Sequence, residues 1–88
     1  MIQETFLALC DPTRREILKM LKKGKKNAGQ IAERFDVSLP AISRHLSVLR
    51  EAELVEANRE GKYIVYELKI TPIEDLDDWL RELLKENL

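Results

Sequence analysis

The sequence has a single cysteine, Cys10, and a single histidine, His45. One thiol excludes a disulfide within the chain and fits a reducing, cytoplasmic compartment. Zinc wants sulfur or nitrogen ligands, usually three or four of them. Asp75, Asp77 and Asp78 lie close together on a predicted helix, but carboxylates alone at that spacing make a poor transition-metal site. No metal and no cofactor are expected. Glycine is scarce, and no Gly-rich phosphate loop occurs. Ser43 and His45 are two residues apart on a predicted helix and point apart, so they cannot pair as nucleophile and base. An enzyme is not expected. No apolar run approaches the roughly 18 residues of a membrane span. The N-terminus lacks the charged and apolar regions of a signal peptide, so none is expected.

What the chain does contain is charge and a modest supply of apolar residues. Charged residues make up 35% of its 88 residues and hydrophobic ones 44%, the composition of a soluble globular domain. We expect one domain over residues 1–88. A domain this small buries a modest core, so dimerisation is expected from size. Net charge is −1, which taken alone argues against a nucleic-acid binder. The distribution tells more. Residues 13–26 hold Arg14, Arg15, Lys19, Lys22, Lys23, Lys25 and Lys26 against Glu16. Residues 73–88 hold Glu74, Asp75, Asp77, Asp78, Glu82 and Glu86 against Arg81 and Lys85. A basic surface can coexist with an acidic one.

Ile2 to Leu9 is a short helix candidate with Ile2, Phe6 and Leu9 on one face. Asp11 caps the next helix, Pro12 suits its first position, and Gly24 stops it. Ile17, Leu18 and Leu21 are its apolar stripe. "NAGQIAERFDVS" reads as a third, short helix with Ile31, Ala32 and Phe35 inward, and Asp36 and Val37 make a tight connection. Ser38 caps a fourth helix that runs to about Ala52, with Pro40 in its first turn and Leu39, Ile42, Leu46 and Leu49 inward. Leu54 to Asn58 and Tyr63 to Leu68 are strands joined by Arg59 to Lys62, with Gly61 free to take positive φ. Ile64, Tyr66 and Leu68 share one strand face. Thr71 caps a last helix that starts at Pro72 and carries Ile73, Leu76, Leu80, Leu83 and Leu84, with Trp79 beside them. The fold class is mostly α with a small β-hairpin: helix-helix-helix-helix-strand-strand-helix, a winged helix-turn-helix.

On the fourth helix, Arg44 falls opposite the apolar stripe. Pro40, Ala41 and Ser47 are its neighbours, and Ser43 and His45 sit on the flanks. Such a face is ordinarily a solvated surface. Three features favour DNA here: a short helix precedes it through a tight turn, a hairpin tipped with Arg59 and Lys62 follows it, and its capped start can face phosphate. Small residues permit close approach to the major groove. Arg44 can grip guanine or a phosphate, and Ser43 and His45 can donate or accept. The candidate DNA-contacting residues are Ser38, Leu39, Pro40, Ala41, Ser43, Arg44, His45, Ser47, Arg59 and Lys62.

"DPTRREILKML", "AGQIAERFDVSLPAISRHLSVLREAELV" and "REGKYIVYEL" resemble the ArsR/SmtB family of bacterial winged-helix repressors. The shared patterns are D-P-T-R (Asp11 to Arg14), S-x-x-x-x-S-x-H-L (Ser38 to Leu46), V-L-R-x-A-x-L-V (Val48 to Val55) and the wing (Arg59 to Tyr66). Ala52-Glu53-Leu54, where many relatives have Ala-Gly-Leu, looks like the SdpR-type autorepressor subgroup. The resemblance implies a homodimer on an imperfect palindrome of double-stranded DNA that blocks transcription. It implies DNA contacts by Ser43, Arg44 and His45, and wing contacts by Arg59 and Lys62. Many relatives carry a base-reading glutamine where this chain has Leu39. Metal-sensing relatives have C-x-C in the third helix, where this chain has Asn27 and Gly29. They also have Asp and His pairs in the last helix, which here lacks histidine.

The first and last helices leave apolar stripes that a small domain does not fully bury. We expect the dimer surface there: Ile2, Phe6 and Leu9 with Ile73, Leu76, Trp79, Leu80, Leu83 and Leu84. Cys10 has two readings, a small apolar core residue or a thiol sensor near Arg14 and Arg15. The two arginines either contact phosphate or hold the fold through carbonyls and carboxylates. Two other functions stay open. One is a winged helix that binds a protein instead of DNA; the other is a repressor responsive to metal or thiol chemistry. The subgroup resemblance also implies relief of repression by a sequestering protein partner.

Overall fold

The computed structural model describes residues 2–86; Met1, Asn87 and Leu88 of the expected domain lie outside the described residues. Five helices and three strands follow in the order α1 (Ile2–Leu9), α2 (Pro12–Lys22), β1 (Lys26–Asn27), α3 (Ala28–Ala32), α4 (Leu39–Glu51), β2 (Val55–Glu60), β3 (Tyr63–Leu68) and α5 (Thr71–Glu86). The helix starts follow local chemistry. The Asp11 carboxylate accepts the N–H groups of Thr13 at 2.7 Å and Arg14 at 3.3 Å, with Pro12 in the first turn of α2. Asn27 and Gln30 exchange side-chain and backbone hydrogen bonds at 2.9 and 2.8 Å, a capping box that starts α3. Ser38 Oγ accepts the Ala41 N–H at 3.3 Å and starts α4.

Thr71 is not a cap. It is the first residue of α5, because the Glu74 N–H already bonds to the Ile70 carbonyl at 2.9 Å. The third helix is also shorter than the sequence suggests. It ends at Ala32, and the chain winds on through turns in which Arg34 and Phe35 donate to Ile31 and Ala32.

The end of α4 is a Schellman motif. The Leu54 N–H reaches back to the Leu49 carbonyl at 2.9 Å, and the Glu53 N–H to Arg50 at 3.0 Å. Glu53 stands between them at φ 60, the conformation that glycine adopts most cheaply.

The sheet has a third strand that the sequence reading lacked. β1 pairs antiparallel with β3, Lys26 opposite Tyr66 and Asn27 opposite Val65, so the strand order is β1-β3-β2. β2 and β3 form the wing in register from Val55–Leu68 to Glu60–Tyr63. The loop is therefore two residues, Gly61 and Lys62, rather than the four from Arg59. Gly61 takes φ 65, as the first position of such a loop favours.

Ile17, Leu18 and Leu21 of α2, Ile31 of α3, Ile42, Leu46 and Leu49 of α4, and Leu54 and Val55 behind them make one core. The helical period on α2 thus buries the residues it promised, and on α4 it buries Ile42, Leu46 and Leu49 but not Leu39. α1 meets this core with small residues, Thr5 and Ala8, and turns Phe6 outward. Leu9, Phe35, Tyr66, Leu68 and Ile73 pack around its edge.

Candidate nucleic-acid interface

α4 presents the expected polar face. Ser38, Pro40, Ser43, Arg44 and Ser47 are exposed, and Ala41 and His45 are half-buried. Arg44 lies across the helix from the buried Ile42 and Leu49. Among the described residues its guanidinium has no hydrogen bond or ion pair.

Leu39 is a correction. Its place in the apolar stripe predicts burial, yet it is 50% exposed. It is the first residue of α4, ahead of the turn where Ile42 enters the core. Helical period alone does not show where the covering neighbour stops.

His45 is held rather than free. Its Nδ1 lies 3.2 Å from an Nη1 of Arg14. The same guanidinium donates to the Ala8 carbonyl at 2.7 Å through Nε and to the Leu7 carbonyl at 3.1 Å through Nη2. Arg15 donates to the Leu9 carbonyl at 2.7 Å. Both arginines therefore serve the fold, by satisfying carbonyls that the end of α1 leaves without helical partners. Burial opposes charge on Asp11. The N–H groups of Thr13 and Arg14, together with nearby His45 and Arg14, outweigh it and hold the carboxyl below the usual carboxylate range.

The wing residues are engaged within the wing. Arg59 Nε donates to the Gly61 carbonyl at 3.3 Å, and Lys62 Nζ stands 5.6 Å from the Tyr63 ring centroid, within cation–π range. Lys25, on the connection after α2, reaches Glu60 at 2.7 Å. The Glu60 hydrogen bond and charge raise the Lys25 ammonium pKa. That clasp joins residues far apart in sequence, and no local pattern signals it.

Residues 11–57 match the model of the family described as bacterial regulatory protein, arsR family. This chain belongs to the ArsR family. It is similar to the transcriptional repressor SdpR of Bacillus subtilis, with 41% identity over 85 residues, 97% of this chain and 94% of the relative. A probable mercury resistance operon repressor of Streptomyces lividans is 34% identical, over 93% of this chain and 66% of that protein. Among solved structures, an ArsR-like transcriptional regulator from Rhodococcus superposes with a TM-score of 0.92 at 33% identity. That match covers 97% of this chain and 78% of the other. The family and these relatives are regulators of transcription, not enzymes.

Within this ArsR-family chain, α3 and α4 are the helix-turn-helix and β2–β3 is the wing. Asn27 and Gly29, where the resemblance would set the cysteines of a metal sensor, are the cap and the second residue of α3. Among the described residues, no group of three or more His, Cys, Asp or Glu is placed to hold a metal ion. Cys10 is exposed, and its thiol donates to the Leu7 carbonyl at 3.0 Å. No helix among the described residues is long and apolar enough to cross a membrane.

α1 and α5 pack together. Phe6 and Trp79 meet edge to face, with centroids 5.5 Å apart and planes at 80°. Both rings remain more than two-fifths exposed, as do Leu80, Leu83 and Leu84. Ile2 and Leu76 are half-buried, while Leu9 and Ile73 already pack on the core. The nine residues expected at a dimer surface thus divide into five exposed ones, two that are half-buried and two that serve the monomer.

Proposed function

We propose that this chain is a dimeric repressor that binds an operator in double-stranded DNA without a metal ion and acts in the cytoplasm. The observation that carries this reading is the face of α4. A capped helix start, small side chains and one uncommitted arginine stand together beside the wing. The helix dipole and Arg44 attract phosphate, and the small residues allow the helix into the major groove. Arg59 and Lys62 extend the contact along the backbone.

The exposed Phe6, Trp79, Leu80, Leu83 and Leu84 support pairing of two copies through α1 and α5. A symmetric dimer sets its two recognition helices about 34 Å apart, one turn of DNA. The acidic α5 then lies at the dimer axis, which reconciles a net charge of −1 with DNA binding. A dimer seated over a promoter excludes polymerase. The likeness to the transcriptional repressor SdpR supports repression, and the target we propose is the chain's own gene. With Asn27 and Gly29 in place of metal ligands, relief of repression falls to a protein partner.

The test is binding of the purified protein to its own upstream promoter by fluorescence anisotropy, against random DNA of equal length, at several salt concentrations. The expected result is tight, salt-sensitive binding with two chains per site and preference for the promoter. Equal, weak, salt-insensitive binding to both DNAs would overturn the reading in favour of a winged helix that binds protein.

A further inference from the structure

One region of the α4 face is not polar. Leu39 is 50% exposed, and on the neighbouring strand β3 Tyr63 is 51% and Ile64 44% exposed. These three line an open cleft of about 390 Å³ with Ser43, Lys62 and Tyr66, between the starts of α3 and α4 and the loop end of β3. Leu39 and Ser43 are four residues apart, so they occupy one edge of the helix. The cleft therefore has an apolar wall, a hydroxyl and an ammonium.

An exposed leucine in the first turn of a recognition helix sits where base edges are read. It cannot donate or accept a hydrogen bond. Among unmodified bases, the one apolar group on the major-groove edge is the 5-methyl of thymine. The neighbouring Ser43 and Lys62 suit what surrounds such a methyl, namely a base acceptor and the phosphate backbone. We propose that Leu39 determines operator specificity by packing on the 5-methyl of a thymine. This rests on the DNA-binding reading above.

The test starts from duplexes selected by the wild-type protein from a random-sequence library. Each thymine of the enriched duplex is replaced in turn by deoxyuridine, which removes the methyl and leaves every donor and acceptor in place. Binding is then measured for the wild type, Leu39→Ala and Leu39→Gln. Because Leu39 lies outside the core, the variants should keep the wild-type melting temperature, and that is checked first. The expected result is at least one thymine whose demethylation weakens wild-type binding about fourfold, the worth of one buried methyl-sized group. Leu39→Ala should be indifferent to the same change. Leu39→Gln should move the preference there toward adenine, which glutamine grips through two hydrogen bonds. If no deoxyuridine duplex binds the wild type more weakly, or if Leu39→Ala keeps the full sensitivity, Leu39 does not read a methyl. If the library yields no enriched sequence at all, the DNA-binding reading itself falls, and the Leu39 assignment with it.

Discussion

Arg14 donates a guanidinium N–H to Nδ1 of His45 across 3.2 Å, joining the end of α1 to the middle of α4. Arginine has only donors, so Nδ1 must accept and the ring proton of neutral His45 sits on Nε2. The imidazole then has one donor left for DNA. Imidazole ¹⁵N spectra of the neutral ring should show the Nε2–H tautomer in the wild type. Arg14→Ala should relax the ring toward a mixture. An unchanged tautomer in that variant would separate the two side chains. The same substitution removes the side-chain donor of the Ala8 carbonyl, while the Leu7 carbonyl keeps its bonds from Cys10, and should destabilise the fold by about 1–3 kcal/mol, read from the urea midpoint.

Glu53 at φ 60 stores strain at the end of α4. A non-glycine residue there costs roughly 1–2 kcal/mol, part of which glycine returns as lost freedom in the unfolded chain. Glu53→Gly should therefore raise stability by about 1 kcal/mol, or about 4–8 °C in Tm for a domain of this size. A lower Tm would mean that the glutamate side chain contributes something its exposed position does not show.

These two features differ in how far the sequence announces them. Asp11, Ser38 and Gly61 are legible because caps and tight turns are set by neighbours one to three residues away. Lys26–Asn27 is not legible as a strand. Two polar residues carry no alternation, and the partners Tyr66 and Val65 are far down the chain. The Arg14–His45 bond spans 31 residues, and only packing reveals it. Leu39 misleads for another reason. Periodicity tells which side of α4 faces the core, but not how far along that side the core extends. The Arg44 face was readable because it depends on period alone.

Asp11 gives the fold a defined acid response. Its folded carboxyl titrates below the usual carboxylate range, so the unfolded chain takes up the proton first. The stabilisation is complete above the unfolded value, near ~3.9, and is lost as pH falls through the folded one. Asp11→Asn keeps a good cap without a titrating group. At neutral pH the wild type should melt above the variant, and the gap should close toward pH 3. A gap that stays constant with pH would exclude the carboxylate charge as its source.

Leu80 is 44% exposed on α5, beside the Phe6–Trp79 pair that joins α1 to α5. A glutamate there disturbs no core residue, yet it places a charge in the proposed dimer surface. Leu80→Glu should keep the wild-type circular dichroism and sediment as a monomer. A dimer mass for the folded variant would move the interface elsewhere.

Arg44 separates positioning from reading. It is exposed, opposite the buried side of α4, and no protein group holds its guanidinium among the described residues. Its removal should therefore leave folding intact and act on DNA alone. If Arg44 grips a guanine edge, Arg44→Ala should weaken promoter binding by about 1–3 kcal/mol while random DNA is affected little. If it meets a phosphate, both DNAs should lose affinity alike and the salt dependence should become shallower. The ratio of promoter to random binding, measured for both proteins at two salt concentrations, distinguishes the cases. An Arg44→Ala protein that binds both DNAs as the wild type does would remove this face of α4 from the interface.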